Sequence, residues 1–407
     1  MSVCRFCASP LSLTFCDLGM SPLSNAFVKP AEAHCSESFY PLHAYVCEKC
    51  FLVQLDKFET PENIFRDYVY FSSYSDSWLD HCRQYAEEMR AAVRLGPQSL
   101  VIEVASNDGY LLQFFRQANI PVLGIEPACN VAAAAVQKGI PTLSEFFGKA
   151  LAQRLAADGH RADLVVANNV MAHVPELNDF VSGFREVLKP EGVLTLEFPH
   201  LLQLIEQHQF DTIYHEHFSY FSFTTAYGVL ARHGLAVHDV KQIPTHGGSL
   251  RIHASPARAG RAASPRVAEL LSHERCAGLD RAETYCSFSE SVKKAKRALL
   301  TFLIEAKDSE KQVVGYGAPA KGNTLLNYCG IRTDLLDYTV DRSPHKQGLL
   351  LPGTRIPVFD PAKITETKPD YVLILPWNLK QEICDQMANI RSWGGKFVLP
   401  IPKVTVL

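Results

Sequence analysis

An α/β protein built from three successive units is what the 407-residue sequence predicts, and three observations predict it. Two C-x-x-C pairs stand near the N-terminus, in a loop-rich stretch too small to hold much core of its own. From about Asp76 to the 240s, short apolar strands alternate with helical stretches, the pattern of a parallel, doubly wound sheet. After a long helical stretch, roughly 265–307, strand–turn–helix alternation returns. The units are therefore residues 1–75, 76–245 and 246–407, the last two distant structural echoes of one another in pattern.

Composition narrows the class. A hydrophobic content of 47% and a charged content of 20% are those of an ordinary globular protein. The net charge of −3, with no long Lys/Arg run, gives no footprint for nucleic acid or an anionic membrane. No stretch approaches the ~18 consecutive apolar residues of a membrane span, and "MSVCRFCASP" lacks the apolar core of a signal peptide. Of the twelve cysteines, the eight outside the C-x-x-C pairs are scattered, which is reduced-thiol usage and predicts a cytoplasmic protein.

In the first unit, Cys4-x-x-Cys7 and Cys47-x-x-Cys50 each predict a tight turn presenting two thiolates. Four thiolates complete a tetrahedral zinc shell, and a closed shell leaves no position for water, so the ion is expected to be structural.

In the second unit, "VIEVASNDGYLL" reads as a strand ending near Glu103, then a turn of small residues (Ala105, Asn107, Asp108, Gly109), then a helix. At the end of the next strand Glu126, followed by Pro127, can accept both hydrogen bonds of a ribose diol. The loop has one glycine where a pyrophosphate cradle needs three. An adenosine without phosphates fits better, and S-adenosylmethionine is the expected cofactor. Asn168 belongs to the same set, and Glu103 or Asp108 can balance the cofactor's positive charges.

The stretch "YHEHFSYFS" (214–222) raises a choice between metal and acid/base chemistry. A zinc-protease pair needs histidines four apart on one helical face. His215 and His217 are two apart and share a face only on an extended strand.

Taken in order, the C-x-x-C pairs, "EVASNDG", "NNVMAHVP", "YHEHF", "HGGSLR" and "GYGAPAKG" make the whole chain resemble the nucleotide-deoxysugar C-methyltransferases, closest to the sugar 3-C-methyltransferases. The resemblance implies a zinc-binding N-terminal domain, a central Rossmann-like S-adenosylmethionine-dependent methyltransferase domain and a C-terminal Rossmann-like domain completing a sugar-nucleotide site. It implies His217 as general base, Glu216 as its orienting or charge-balancing partner, and Tyr214 and Tyr70 as donors to a developing oxyanion. His173 is placed where methyl donor and acceptor meet, and His215 falls on the variable position. The diphosphate of a nucleotide sugar is then expected near His246, Gly247, Gly248, Ser249 and Arg251, and near Lys321 at a helix N-terminus. The implied reaction is methylation of C3 of a dTDP-4-keto-2,6-dideoxyhexose. Competing readings are another carbon or a GDP sugar, a nicotinamide-dependent reductase or epimerase built on the C-terminal Gly-rich turn, and a non-catalytic zinc-ribbon adaptor.

Overall fold

The computed structural model describes residues 2–60, 73 and 76–407. At the N-terminus, strands β1 (Leu13–Ser21), β2 (Tyr40–Val46) and β3 (Val53–Leu55) form an antiparallel sheet. Its fourth strand comes from far along the chain: Ser219–Tyr220 pairs with β3. The expectation of a small core is met by sharing. Phe15 and Val46 of this sheet are buried in one cluster with Tyr285, Phe288 and Val292 of the helix Ala282–Asp308. The Phe15 and Phe288 rings stack at 4.6 Å, so the first unit is held by apolar contact with the third.

The central sheet has β4 (Val101–Val104), β5 (Val122–Ile125), β6 (Thr142–Leu143), β7 (Ala162–Asn168) and β8 (Leu188–Pro199) in parallel. It is completed by an antiparallel pair from further along the chain, Leu235–Ile243 and Ser249–Pro256. With β9 as the Ser219–Tyr220 strand, these two are β10 and β11, and the order is β10-β11-β8-β7-β4-β5-β6. The first strand, β4, lies between β5 and β7, so successive crossovers depart to opposite sides and leave a crevice at the strands' carboxyl ends. β11 ties the third unit to the second: residues 249–256, which a division at 245/246 puts in the third unit, pair into the central sheet.

The helical stretch expected over 265–307 is two helices, Pro265–Cys276 and Ala282–Asp308. Gly278 between them has φ +83, a left-handed conformation that ends the first helix. The C-terminal sheet follows: β12 (Val313–Tyr316), β13 (Thr339–Val340), β14 (Val358–Phe359), β15 (Tyr371–Ile374), β16 (Lys396–Leu399) and β17 (Thr405–Val406). Its order is β14-β13-β12-β15-β16-β17, parallel except for β17. Both α/β units thus share one parallel core, each with its first strand between its second and fourth.

The loop after β4 is shaped by three left-handed residues at alternate positions, Ala105 (φ 59), Asn107 (φ 48) and Gly109 (φ 78). Glycine and asparagine tolerate that region, whereas alanine pays about 1–2 kcal/mol in contact between Cβ and the carbonyl oxygen. Ala105→Gly is expected to stabilise the central domain by about 1 kcal/mol. Urea unfolding followed by a central-domain probe measures it, and a lower midpoint in the variant contradicts the strain.

Candidate active site

The four N-terminal thiols converge. Their Sγ atoms lie within 4.8 Å of one another, with Cys4–Cys50 and Cys7–Cys47 each 3.5 Å apart. A tetrahedron with Zn–S of about 2.3 Å needs sulfurs about 3.8 Å apart, so the donor set fits zinc. The two turns are built alike. The amides of Ala8 and Phe51 each bond back to the first cysteine's carbonyl at 2.8 Å, and both residues are left-handed.

A cavity of about 420 Å³ opens at the carboxyl ends of the central strands and is lined by all three units. From the cofactor loop it receives Ala105 and Asn107, then Glu126 and Pro127 after β5 and Asn168 at the end of β7. Glu126 accepts the Asn107 amide on Oε2 and the Ala128 amide on Oε1, both at 2.9 Å. Each oxygen keeps a lone pair for a ribose hydroxyl. Three expected cofactor residues stand behind this wall instead. Glu103 is fully buried and does not line the cavity. Asp108 accepts a hydrogen bond from Ser73 and an ion pair from Lys138 at 2.7 Å. Gly109 is needed for the turn, since a Cβ there would stand 2.9 Å from Ile140.

Opposite the cofactor loop sits the 214–217 segment, which is neither strand nor helix. The His217 amide donates to the Tyr214 carbonyl at 2.9 Å, closing a β-turn that brings Tyr214 and His217 together with ring centroids 4.0 Å apart. His215, between them, leaves in another direction, with Nε2 3.2 Å from the Pro41 carbonyl and its ring edge-on to Tyr40. The paired histidines of a metal site are therefore not brought together here.

The tautomer of His217 follows from its partners. Nδ1 lies 2.9 Å from the Thr212 carbonyl, which only accepts, so Nδ1 carries the proton. Nε2 then holds the lone pair and accepts the Tyr214 hydroxyl at 2.8 Å. Burial, reinforced by nearby His173, holds His217 well below the ordinary histidine range. Both ring nitrogens are thereby occupied, so Glu216 is not the group that orients His217. Its carboxyl accepts instead from Asn25 Nδ2 at 2.7 Å. Burial pushes Glu216 up to about 7. His173 reaches the same place after β7, its ring 4.6 Å from His217 in edge contact. Tyr70 lies outside the described residues.

Of the residues expected to bind the sugar nucleotide, His246 and Lys321 line the cavity. Arg251 does not. Its Nε donates to Glu197 at 2.5 Å, and its guanidinium lies 4.5 Å from the Tyr85 ring centroid, so it is a buried structural ion pair. Ser249 donates to the Thr245 carbonyl. Gly247 and Gly248 are demanded by packing, since added Cβ atoms would stand 2.5 Å from the Trp377 ring and 2.8 Å from Gln203. The Gly-rich turn of the C-terminal unit is likewise filled: a Cβ on Gly317 would meet Pro376 at 2.5 Å. Lys321 Nζ bonds Asn378 at 2.8 Å and lies 4.4 Å from the Trp377 ring centroid. Asn25, Trp78 and Lys346 also line the cavity and carried no sequence signal, because each arrives from a separate loop or helix, and Asn169 joins them from the motif that holds Asn168.

A parallel sheet with one antiparallel strand inserted next to its edge, a turn at the first strand's end and a ribose-ready acid after the second define an S-adenosylmethionine-dependent methyltransferase. Family models agree in chain order: a zinc binding domain over residues 4–65, a methyltransferase domain over 78–240 and a C-methyltransferase C-terminal domain over 244–402. The chain is 34% identical to the C-methyltransferase NovU of Streptomyces niveus over 404 residues, covering 99% of this chain and 96% of NovU. It belongs to the C-methyltransferase family. A ubiquinone biosynthesis O-methyltransferase of Bartonella tribocorum is 24% identical over 95 residues, covering 23% of this chain and 38% of that protein. The S-adenosylmethionine-bound magnesium protoporphyrin IX methyltransferase of Synechocystis PCC 6803 aligns with a TM-score of 0.36 at 17% identity, covering 49% of this chain and 99% of that one. Similarity this low adds nothing to the first relative and the family models. Among the described residues no helix is long and apolar enough to cross a membrane.

Two outcomes follow. Cys47→Ser is expected to lose zinc and to lower the melting temperature, with zinc measured by mass spectrometry on the purified protein; full zinc content would show that the thiols are not its ligands. Asp211, fully buried and accepting Trp377 Nε1 at 2.7 Å, is pushed by burial from the ordinary 3.8 to about 6. A folded-state value above the unfolded one gives stability that is fully present below about pH 4 and lost as pH rises through 6. The loss is about 3 kcal/mol. Asp211→Asn, which can still accept from Trp377, is expected to out-melt the wild type at pH 8 and to converge with it near pH 4.

Proposed function

We propose that the protein methylates carbon, C3 of a dTDP-linked 4-keto-2,6-dideoxyhexose, through an enolate formed in the cavity, in the cytoplasm. The observation that carries this reading is the closed 214–217 turn. It sets a proton-donating tyrosine on a histidine of fixed tautomer, in one cavity with the cofactor loop.

A carbon next to a ketone becomes nucleophilic when it loses a proton and the ketone oxygen takes up the charge. His217 Nε2, held neutral by burial, is the acceptor of the C3 proton. Tyr214 gives up its bond to Nε2 as the sugar enters and donates to the C4 oxygen. The imidazolium so formed is buried and needs a counter-charge, which ionised Glu216 supplies. Lys321 and Lys346, from the C-terminal unit, supply positive charge at the cavity for a diphosphate. Bound at the loop, with Glu126 on its ribose, S-adenosylmethionine supplies an electrophilic methyl group. A nicotinamide-dependent reductase would need open backbone at Gly317, which Pro376 covers.

Mass spectrometry of reactions with dTDP- and GDP-linked 4-ketosugars in deuterated buffer tests the reading. A ring carbon gaining a methyl group supports it and identifies nucleotide and carbon; turnover elsewhere than carbon refutes it. His217→Ala is expected to lower kcat by about 10²–10⁴-fold and Tyr214→Phe by about 10²–10³-fold, and near-wild-type turnover in either overturns its role. Because Glu216 acts ionised, kcat/KM should rise with pH through about 7, and this limb should vanish in Glu216→Gln.

A further inference from the structure

Asn25 belongs to the zinc-binding unit, yet it lines the cavity and donates from Nδ2 to Glu216 Oε1 at 2.7 Å. Its loop is pinned from the far side. Asn323 Nδ2 donates to the Ser24 carbonyl at 2.6 Å, and Val28 exchanges both backbone hydrogen bonds with Leu350 at 3.0 and 2.8 Å. The helix that holds Ser24 also holds the segment leading into the 214–217 turn, through Thr324 Oγ1 to the Ile213 carbonyl at 3.0 Å. The C-terminal helix therefore fixes donor and acceptor together.

We infer that Asn25 is a positioning residue, reaching from the zinc-binding unit to anchor one oxygen of Glu216 and keep that carboxyl ionised in the cavity it lines together with His217. The inference rests on the methyl-transfer reading for its catalytic consequence, but not for the interaction itself. An amide donor stabilises a buried carboxylate and not its protonated form. Besides Glu216, the titratable groups lining the cavity are Tyr214 and His217 on the same turn, Tyr220 just after it, Tyr110 and Glu126 on the cofactor side, His173 after β7, His246 before β11, and Lys321 and Lys346 from the C-terminal unit. Burial keeps His173 and His246 down at about 4 and His217 well below its ordinary range, so none of the three is charged near pH 7. Burial lowers Lys321 from the ordinary lysine range, with Asp211 opposing it, and Asn25 is the side chain hydrogen-bonded to the carboxyl among the described residues.

Carbon-13 titration of glutamate-labelled full-length protein, with the Glu216 signal assigned through Glu216→Gln, reads the carboxyl directly. Asn25→Ala is expected to raise its midpoint by about one pH unit. The isosteric Asn25→Asp, which sets a second carboxylate beside the first, is expected to raise it further. The ascending limb of kcat/KM should move with it while S-adenosylhomocysteine affinity and zinc content stay unchanged. An unmoved midpoint in either variant, in protein that melts like the wild type, overturns the inference; should the alanine variant not fold, the aspartate variant decides. Failure of wild-type protein to methylate any ketosugar would defeat the methyl-transfer reading, and the titration would still decide the role of Asn25.

Discussion

One backbone hydrogen bond, from the His217 amide to the Tyr214 carbonyl, governs what the site can do. Without that turn, Tyr214, His215, Glu216 and His217 would alternate across a strand and point to opposite faces. With it, the first and last residues of the motif meet, Glu216 stays on the cavity lining and His215 leaves toward Pro41 and Tyr40. The Thr212 carbonyl then has one further consequence, since by accepting from Nδ1 it leaves Nε2 basic. A pattern of side chains that is ambiguous between metal and proton chemistry becomes specific through two backbone carbonyls, neither visible in side-chain identity.

The turn is itself held by three units. Its C-terminal continuation is β9, the edge strand of the zinc-bearing sheet, and the residue before it is bonded to a C-terminal helix. None of the four cysteines lines the cavity, yet the second knuckle runs straight into β3, on which β9 pairs. This ordering explains why a closed four-thiolate shell, which can take no substrate, sits in an enzyme at all. It replaces a core that a sheet of this size cannot build alone.

How legible all this was in the sequence depends on the range of the interaction. Strand alternation, the cysteine pairs and the cofactor acid are local patterns, and each of those elements forms where periodicity and spacing put it. Glu126 could be placed on the cavity because that position requires only a strand end. Arg251 misled for the opposite reason: a cation after two glycines looks anion-seeking, but its partner Glu197 comes from the adjacent strand, fifty-four residues away in sequence. Gly247 and Gly248 misled likewise, their freedom being used to let Trp377 and Gln203 approach. Asn25 and Lys346 were silent because lone polar residues in loops carry no period.

Burial decides how these groups divide their labour. In an enclosed cavity the histidines are driven toward neutrality and the carboxyl toward its protonated form, so the charge needed to stabilise an imidazolium is the one least easily kept. An amide donor from another unit opposes burial without adding a competing charge, whereas an arginine there would remove the pH sensitivity and neutralise the counter-ion as well. On the mechanism proposed above, a neutral donor would leave Glu216 negative enough to receive a transient cation and free of a permanent one. On this logic the three-unit architecture serves the chemistry: a single domain would have to find turn, donor and cofactor loop on one sheet edge, and this chain distributes them over three.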